Sequence, residues 1–125
     1  MKYFLVPALL GVLLLQSFPP AVASQPLNSS ASKRARYQHQ IEQELQEFTR
    51  KINVLKARVH KVSAEKSVEL KQRIQLLEHK ERAAKASFAQ LKRSSGTQWE
   101  KIKKSVDRQI IDLRKTYNKT INKLH

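Results

Sequence analysis

The chain of 125 residues has no cysteine, which removes disulfides, thiolate nucleophiles and thiolate metal ligands from consideration. It has two glycines and four prolines, and beyond Ser32 there is no proline and a single glycine, Gly96. So few breakers leave no room for a glycine-rich phosphate loop or for the closely spaced turns of a β-sandwich or barrel. No segment alternates apolar and polar residues as a half-buried strand does. Aromatic residues make up 6% of the chain, with one tryptophan. None of them stands between basic residues on a polar helical face, as a stacking platform for single-stranded nucleic acid requires. The four histidines, His39, His60, His79 and His125, have no second ligand at a metal-binding spacing on their own face. There is no Ser-His-Asp constellation, and a pair of helices encloses no cavity that would desolvate a nucleophile. These absences predict a protein that is not an enzyme, binds no cofactor and takes no small-molecule substrate.

What is present begins with an export signal. Lys2, the apolar run from Tyr3 to Leu15 and the small residues Ala21-Val22-Ala23 fit a signal peptide, 1–23. Thirteen apolar residues fall short of the ~20 that span a bilayer, and Pro19-Pro20 end any helix before the cleavage site. An uncleaved anchor is the rival reading. Cleavage after Ala23 leaves 102 residues with 24 basic and 10 acidic side chains, a net charge of +14, and localisation would be periplasmic or secreted. Residues 24–32 are polar and aperiodic, and read as a disordered leader.

From residue 33 the pattern is helical throughout. Ile41, Leu45, Phe48, Ile52, Leu55, Val59 and Val62 step 4, 3, 4, 3, 4, 3, a heptad seam. A second heptad stretch runs through Leu70, Ile74, Leu77, Glu81, Ala84, Phe88 and Leu91, with a four-residue stutter between the two. The last segment, Trp99, Ile102, Val106, Ile110, Leu113, Tyr117, Ile121 and Leu124, follows an eleven-residue repeat. Gly96 supplies a left-handed helix stop. Thr97-Gln98-Trp99-Glu100 fits a capping box. Trp99 reads as a core plug beside the turn, with a hot-spot anchor for a partner as the sharper alternative.

The expected fold is all-α: a long helical hairpin or antiparallel coiled coil, with a helix over 33–94, a turn at 95–97 and a second helix over 98–125. In that hairpin the second helix covers only about 66–93 of the first, leaving the seam Ile41–Val62 bare over ~45 Å. Seven large apolar residues, each worth ~1.5–3 kcal/mol on burial, should not stay in water. Either two protomers pair there as a homo-oligomer, or the chain bends near Ser63–Ser67 and folds back as a three-helix bundle. With no Gly, Pro or Asn at the bend, the continuous helix is the favoured reading.

The charge is distributed evenly along the sequence: +5 over 33–62, +4 over 63–97 and +5 over 98–125. The local concentrations are Lys33, Arg34 and Arg36, and Lys101, Lys103 and Lys104. So large an excess predicts an anionic partner. Membrane headgroups, acidic glycans or acidic proteins are the expected candidates, ahead of nucleic acid. A holdase-type chaperone is the alternative function, and a lipid-surface or nucleic-acid binder the next.

The residues Leu77, Leu91, Gly96, Trp99, Ile102, Lys103, Val106, Asp107 and Leu113 resemble the pattern of small bacterial helical-hairpin proteins described as apolipoprotein-like or stress-response coiled-coil proteins. That resemblance implies a helical hairpin, an association with stress and no catalytic residues. Length, signal peptide and charge are also similar to those of the basic trimeric periplasmic chaperone, although its β-rich body has no counterpart here.

Overall fold

The computed structural model describes residues 30–124, and the signal-peptide reading of 1–23 therefore lies outside the described residues. Three helices follow one another: α1 (Ser30–Arg58), α2 (Ala64–Lys92) and α3 (Gly96–Asn122). A 3₁₀ turn over Val59–Lys61 links the first two. The chain divides into two units, residues 1–37 and 38–125. Of the first unit, residues 30–37 are described, and they form the opening turns of α1. Ser30–Ser32 are thus helical and do not belong to the expected leader; neither glycine nor proline stands there to stop the helix extending backwards.

The second unit is an up-down-up three-helix bundle. Lys56 pairs with Glu78, and Glu81 with Thr49, so α1 and α2 run antiparallel. Lys80 meets Asp112 and Lys123 meets Glu69, so α2 and α3 also run antiparallel. Arg114 reaches Glu44 and Lys51 lies over the Tyr117 ring, which fixes α3 parallel to α1. The backbones of α2 and α3 approach most closely, whereas α1 joins them through its longer side chains.

The all-α expectation holds, and the fold takes the bundle form of it. The favoured continuous helix over 33–94 is corrected by a break at Val62 and Ser63, both extended in backbone conformation. Ser63 caps α2: its hydroxyl accepts from the Lys66 amide at 3.4 Å, and its carbonyl accepts from the Ser67 amide at 2.8 Å. The energetics favour folding back. Breaking a helix forfeits a few backbone hydrogen bonds worth about 1 kcal/mol net each, part of which the 3₁₀ turn and the serine cap restore. In return the seam is buried inside the chain. Ile41, Leu45, Phe48, Ile52, Leu55 and Val59 are all buried, Leu55 to 1% exposure, and Val62 is half-buried. The expectation of a bare seam, and the self-association it implied, therefore loses its premise.

All seven positions of the α2 ladder are buried, Glu81 included. In α3, Trp99, Val106, Ile110 and Leu113 are buried and Ile102, Tyr117 and Ile121 half-buried. The eleven-residue rhythm gives way near the end of α3. There Thr120, not Ile121, is fully buried, its hydroxyl donating to the Thr116 carbonyl at 2.8 Å. A helix packed between two others follows the phase of its neighbours' seams, and this places a threonine where the sequence suggests an isoleucine.

The second connection has the expected three residues but lies two positions earlier, at 93–95. α2 ends at Lys92, the amides of Arg93 and Ser94 donate to the Gln90 and Leu91 carbonyls, and α3 begins at Gly96. Gly96 adopts φ +59°, the left-handed conformation expected of it. The capping box does not form at Thr97. Ser95 is the N-cap, without a side-chain cap bond, and Thr97 and Glu100 already sit inside the first helical turns.

Candidate functional site

Chemistry inside the bundle is sparse. Glu81 occupies a core position facing α1, where it accepts a hydrogen bond from the Thr49 hydroxyl and pairs with Lys85 at 3.2 Å. The Lys85 ammonium also donates to Thr49 at 2.8 Å. The arrangement borders an open groove of about 270 Å³ lined by Leu45, Thr49, Lys85 and Phe88 among others. A carboxylate already held by an ammonium and a hydroxyl is an inter-helix clamp. Glu42 and Lys92 also line the groove. A second open groove, of about 310 Å³ between α2 and α3, carries His79, Lys80, Gln109 and Asp112, and there Lys80 holds Asp112 at 2.5 Å. Among the described residues no cluster of three or more His, Cys, Asp or Glu side chains is placed to hold a metal ion.

The charged surface is more informative. Three acids are drawn into pairs along the helix boundaries: Glu44 with Arg114, Glu78 with Lys56, and Asp112 with Lys80. Of the four-residue pairs visible in the sequence, Glu69–Arg73 and Glu81–Lys85 form. Glu47 turns instead to Arg50, and Glu78 crosses to α1. Hydrogen bonding from Arg50 holds the Glu47 carboxyl below its ordinary pKa. Arg73, and secondarily Lys123, do the same for Glu69.

This pairing leaves one helix face rich in cations, with Asp112 at its edge. Along α3, Lys101, Lys104, Arg108, Lys115 and Lys119 are all exposed. Their spacing places them within an arc of about 60°, opposite the buried stripe, over ~27 Å of helix. None of the five forms an ion pair within the described residues. Glu100, Asp107 and Asp112 fall on the flanks of this ridge, where Asp107 binds Lys103 at 2.9 Å and Asp112 binds Lys80. The outward faces of the other helices differ. That of α1 in the bundle carries His39, Gln43, Gln46, Arg50, Asn53 and Ala57, with Arg50 paired. That of α2 carries Val68, Gln75, His79, Arg82, Ala86 and Gln90. Charge that is even along the sequence is therefore uneven around the bundle.

The cluster read from the sequence is divided by the helix. Lys101 and Lys104 stand on the ridge, while Lys103 is half-buried on its flank and held by Asp107. Arg108, Lys115 and Lys119 do not stand out as a cluster in the sequence, because they are not adjacent to one another. The signal that finds them is the 3- and 4-residue rhythm of the polar face, read with the same care as the apolar one. Lys33, Arg34 and Arg36 lie in the opening turns of α1, within the first unit. Gly96 forms the turn, and Trp99 is buried to 3% exposure, as a plug beside it.

Four large apolar residues are exposed, Val54, Val68, Leu76 and Ile111, scattered over three helices and not gathered in a patch. No helix among the described residues is long and apolar enough to cross a membrane. No family model, curated protein or solved structure matches the chain.

Proposed function

We propose that this chain is an exported, non-enzymatic helical protein that binds polyanions through its surface charge. The observation that carries the reading is the ridge of α3, where five exposed cations stand together while the neighbouring Asp107 and Asp112 are engaged in pairs on its flanks. Solubility alone calls for both signs interspersed and a net charge of only about 2–8 on a small domain. Unneutralised cations in a row raise the local concentration of anions and give an association that weakens with salt. The scattered exposed apolar residues offer little to an unfolded client, which favours this reading over a holdase chaperone.

The test is binding of the full chain to immobilised dextran sulfate across a salt series. The logarithm of affinity should fall linearly and steeply with the logarithm of salt concentration, because counterion release drives the association. A flat salt dependence overturns the proposal.

A further inference from the structure

We infer that the ridge of α3 is the docking surface itself, and that its occupant is a linear acidic polysaccharide lying along the helix. The inference rests on the polyanion reading above and goes further in naming one face and one class of partner.

The shape of the ridge favours a thin partner. Lys101, Lys104, Arg108, Lys115 and Lys119 form a single file, about 27 Å long and one side chain wide. On its flanks Asp107 and Asp112 are held by Lys103 and Lys80, so the cations of α3 that form no ion pair are confined to the crest. A thin chain along the crest meets all five cations. A flat bilayer or a broad duplex overhangs the flanks, where the cations are already paired with carboxylates.

The crest also lacks the groups that other polyanions need. No aromatic residue lies on it, so nothing stacks bases, and single-stranded nucleic acid loses the contact that ordinarily holds it. The apolar stripe of α3 is consumed by the core, and the ridge offers only Ile111, 46% exposed. An amphipathic helix that binds membranes needs its apolar face free to enter the lipid. A polysaccharide with sulfate or carboxylate groups at intervals along a thin chain requires none of the missing features.

The experiment compares two triple variants of the full chain that lose the same charge. One is Lys104→Gln/Arg108→Gln/Lys115→Gln, on the ridge. The other is Lys61→Gln/Lys71→Gln/Arg82→Gln, elsewhere on the bundle. All six positions are exposed, and glutamine keeps the helix propensity of lysine and arginine, so both variants should retain the helical circular dichroism of the parent. Binding is measured to dextran sulfate, to duplex DNA and to phosphatidylglycerol vesicles at one salt concentration. The ridge variant should bind dextran sulfate about tenfold more weakly, as expected from three modest surface interactions lost together, and the control less than about threefold. Equal losses in the two variants overturn the ridge as the address while leaving polyanion binding standing. Tighter binding of the parent to duplex DNA or to vesicles overturns the choice of partner. Failure of the parent to bind any of the three removes the functional reading and this inference together.

Discussion

The Glu81 carboxylate accepts a hydrogen bond from the Thr49 hydroxyl, joining α2 to α1 at a core position that the heptad pattern assigns to an apolar residue. Lys85 completes the clamp from the edge, where it is 46% exposed and can follow its charge into water. A buried ion pair is weak evidence for stability, because desolvation offsets the attraction. Its attested use is to fix register, since a ladder of interchangeable apolar residues can slide and a single polar match cannot.

Glu81→Leu should therefore stabilise the bundle, by about 1 kcal/mol on the scale seen when buried ion pairs give way to apolar residues. Lys85 is free to turn outward, and the Thr49 hydroxyl retains the Leu45 carbonyl at 3.1 Å as an acceptor. Thr49→Val, by contrast, removes one partner from a carboxylate that stays buried, and should destabilise by about 1–3 kcal/mol. Urea unfolding of both variants checks the opposite signs. A destabilised Glu81→Leu would show the clamp to be a net source of stability.

Ile52 distinguishes a core from an interface. It is 2% exposed within the single chain, so Ile52→Ala should cost about 2–5 kcal/mol, the range for truncating a buried isoleucine. That cost should not change with protein concentration. If the seam were completed by a second copy, the unfolding midpoint of both parent and variant would climb with concentration, because the partner binds only the folded form. Denaturation at two concentrations a hundredfold apart decides between them.

The residues that line the core were legible in the sequence far more than the way the chain folds to bring them together. The steps of 3 and 4 select the six residues from Ile41 to Val59 and the seven from Leu70 to Leu91, and all of them are buried. What periodicity cannot say is which seams face each other, because a seam is the same whether its partner is a second copy or the next helix. No Gly, Pro or Asn marks the bend because a serine makes it, as an N-cap that needs only an extended backbone and a hydroxyl. The ridge of α3 is hidden in the sequence for a related reason. Lys103 and Lys104 are neighbours in sequence yet diverge by about 100° on a helix, while Arg108 and Lys115 are distant in sequence and aligned in space.

Ser63 tests that account of the bend. Its cap hydrogen bond is long, 3.4 Å, so Ser63→Ala should lose an amount toward the lower end of the ~0.5–2 kcal/mol range for serine caps. Ser63→Asp should hold or raise stability, since a carboxylate at a helix N-terminus also meets the positive end of the helix dipole, worth ~0.3–1 kcal/mol at the surface. The order aspartate, serine, alanine in thermal unfolding is the expected outcome. Indifference to all three would show that the break is imposed by packing of the two seams and not by the cap.

The end of α3 is tied down by a carboxylate whose protonation should release it. Glu69, near the start of α2, takes hydrogen bonds from Arg73 and an ion pair from Lys123 at 3.5 Å, just beyond the last turn of α3. Hydrogen bonding by Arg73 and the charge of Lys123 lower its pKa in the folded state. A carboxyl with a depressed folded pKa binds fewer protons folded than unfolded. Its stabilising contribution is therefore fully present above the ordinary carboxylate pKa and is lost as pH falls through the lower, folded value. Both partners are well exposed, so the effect should be small in global unfolding and clear locally. Amide exchange of residues 119–123, corrected for the intrinsic effect of pH, should accelerate relative to the middle of α3 as the solution is acidified through that interval. Glu69→Gln should show the faster exchange already at neutral pH and no further acid step. An unchanged acid step in Glu69→Gln would assign the release of the helix end to another carboxylate.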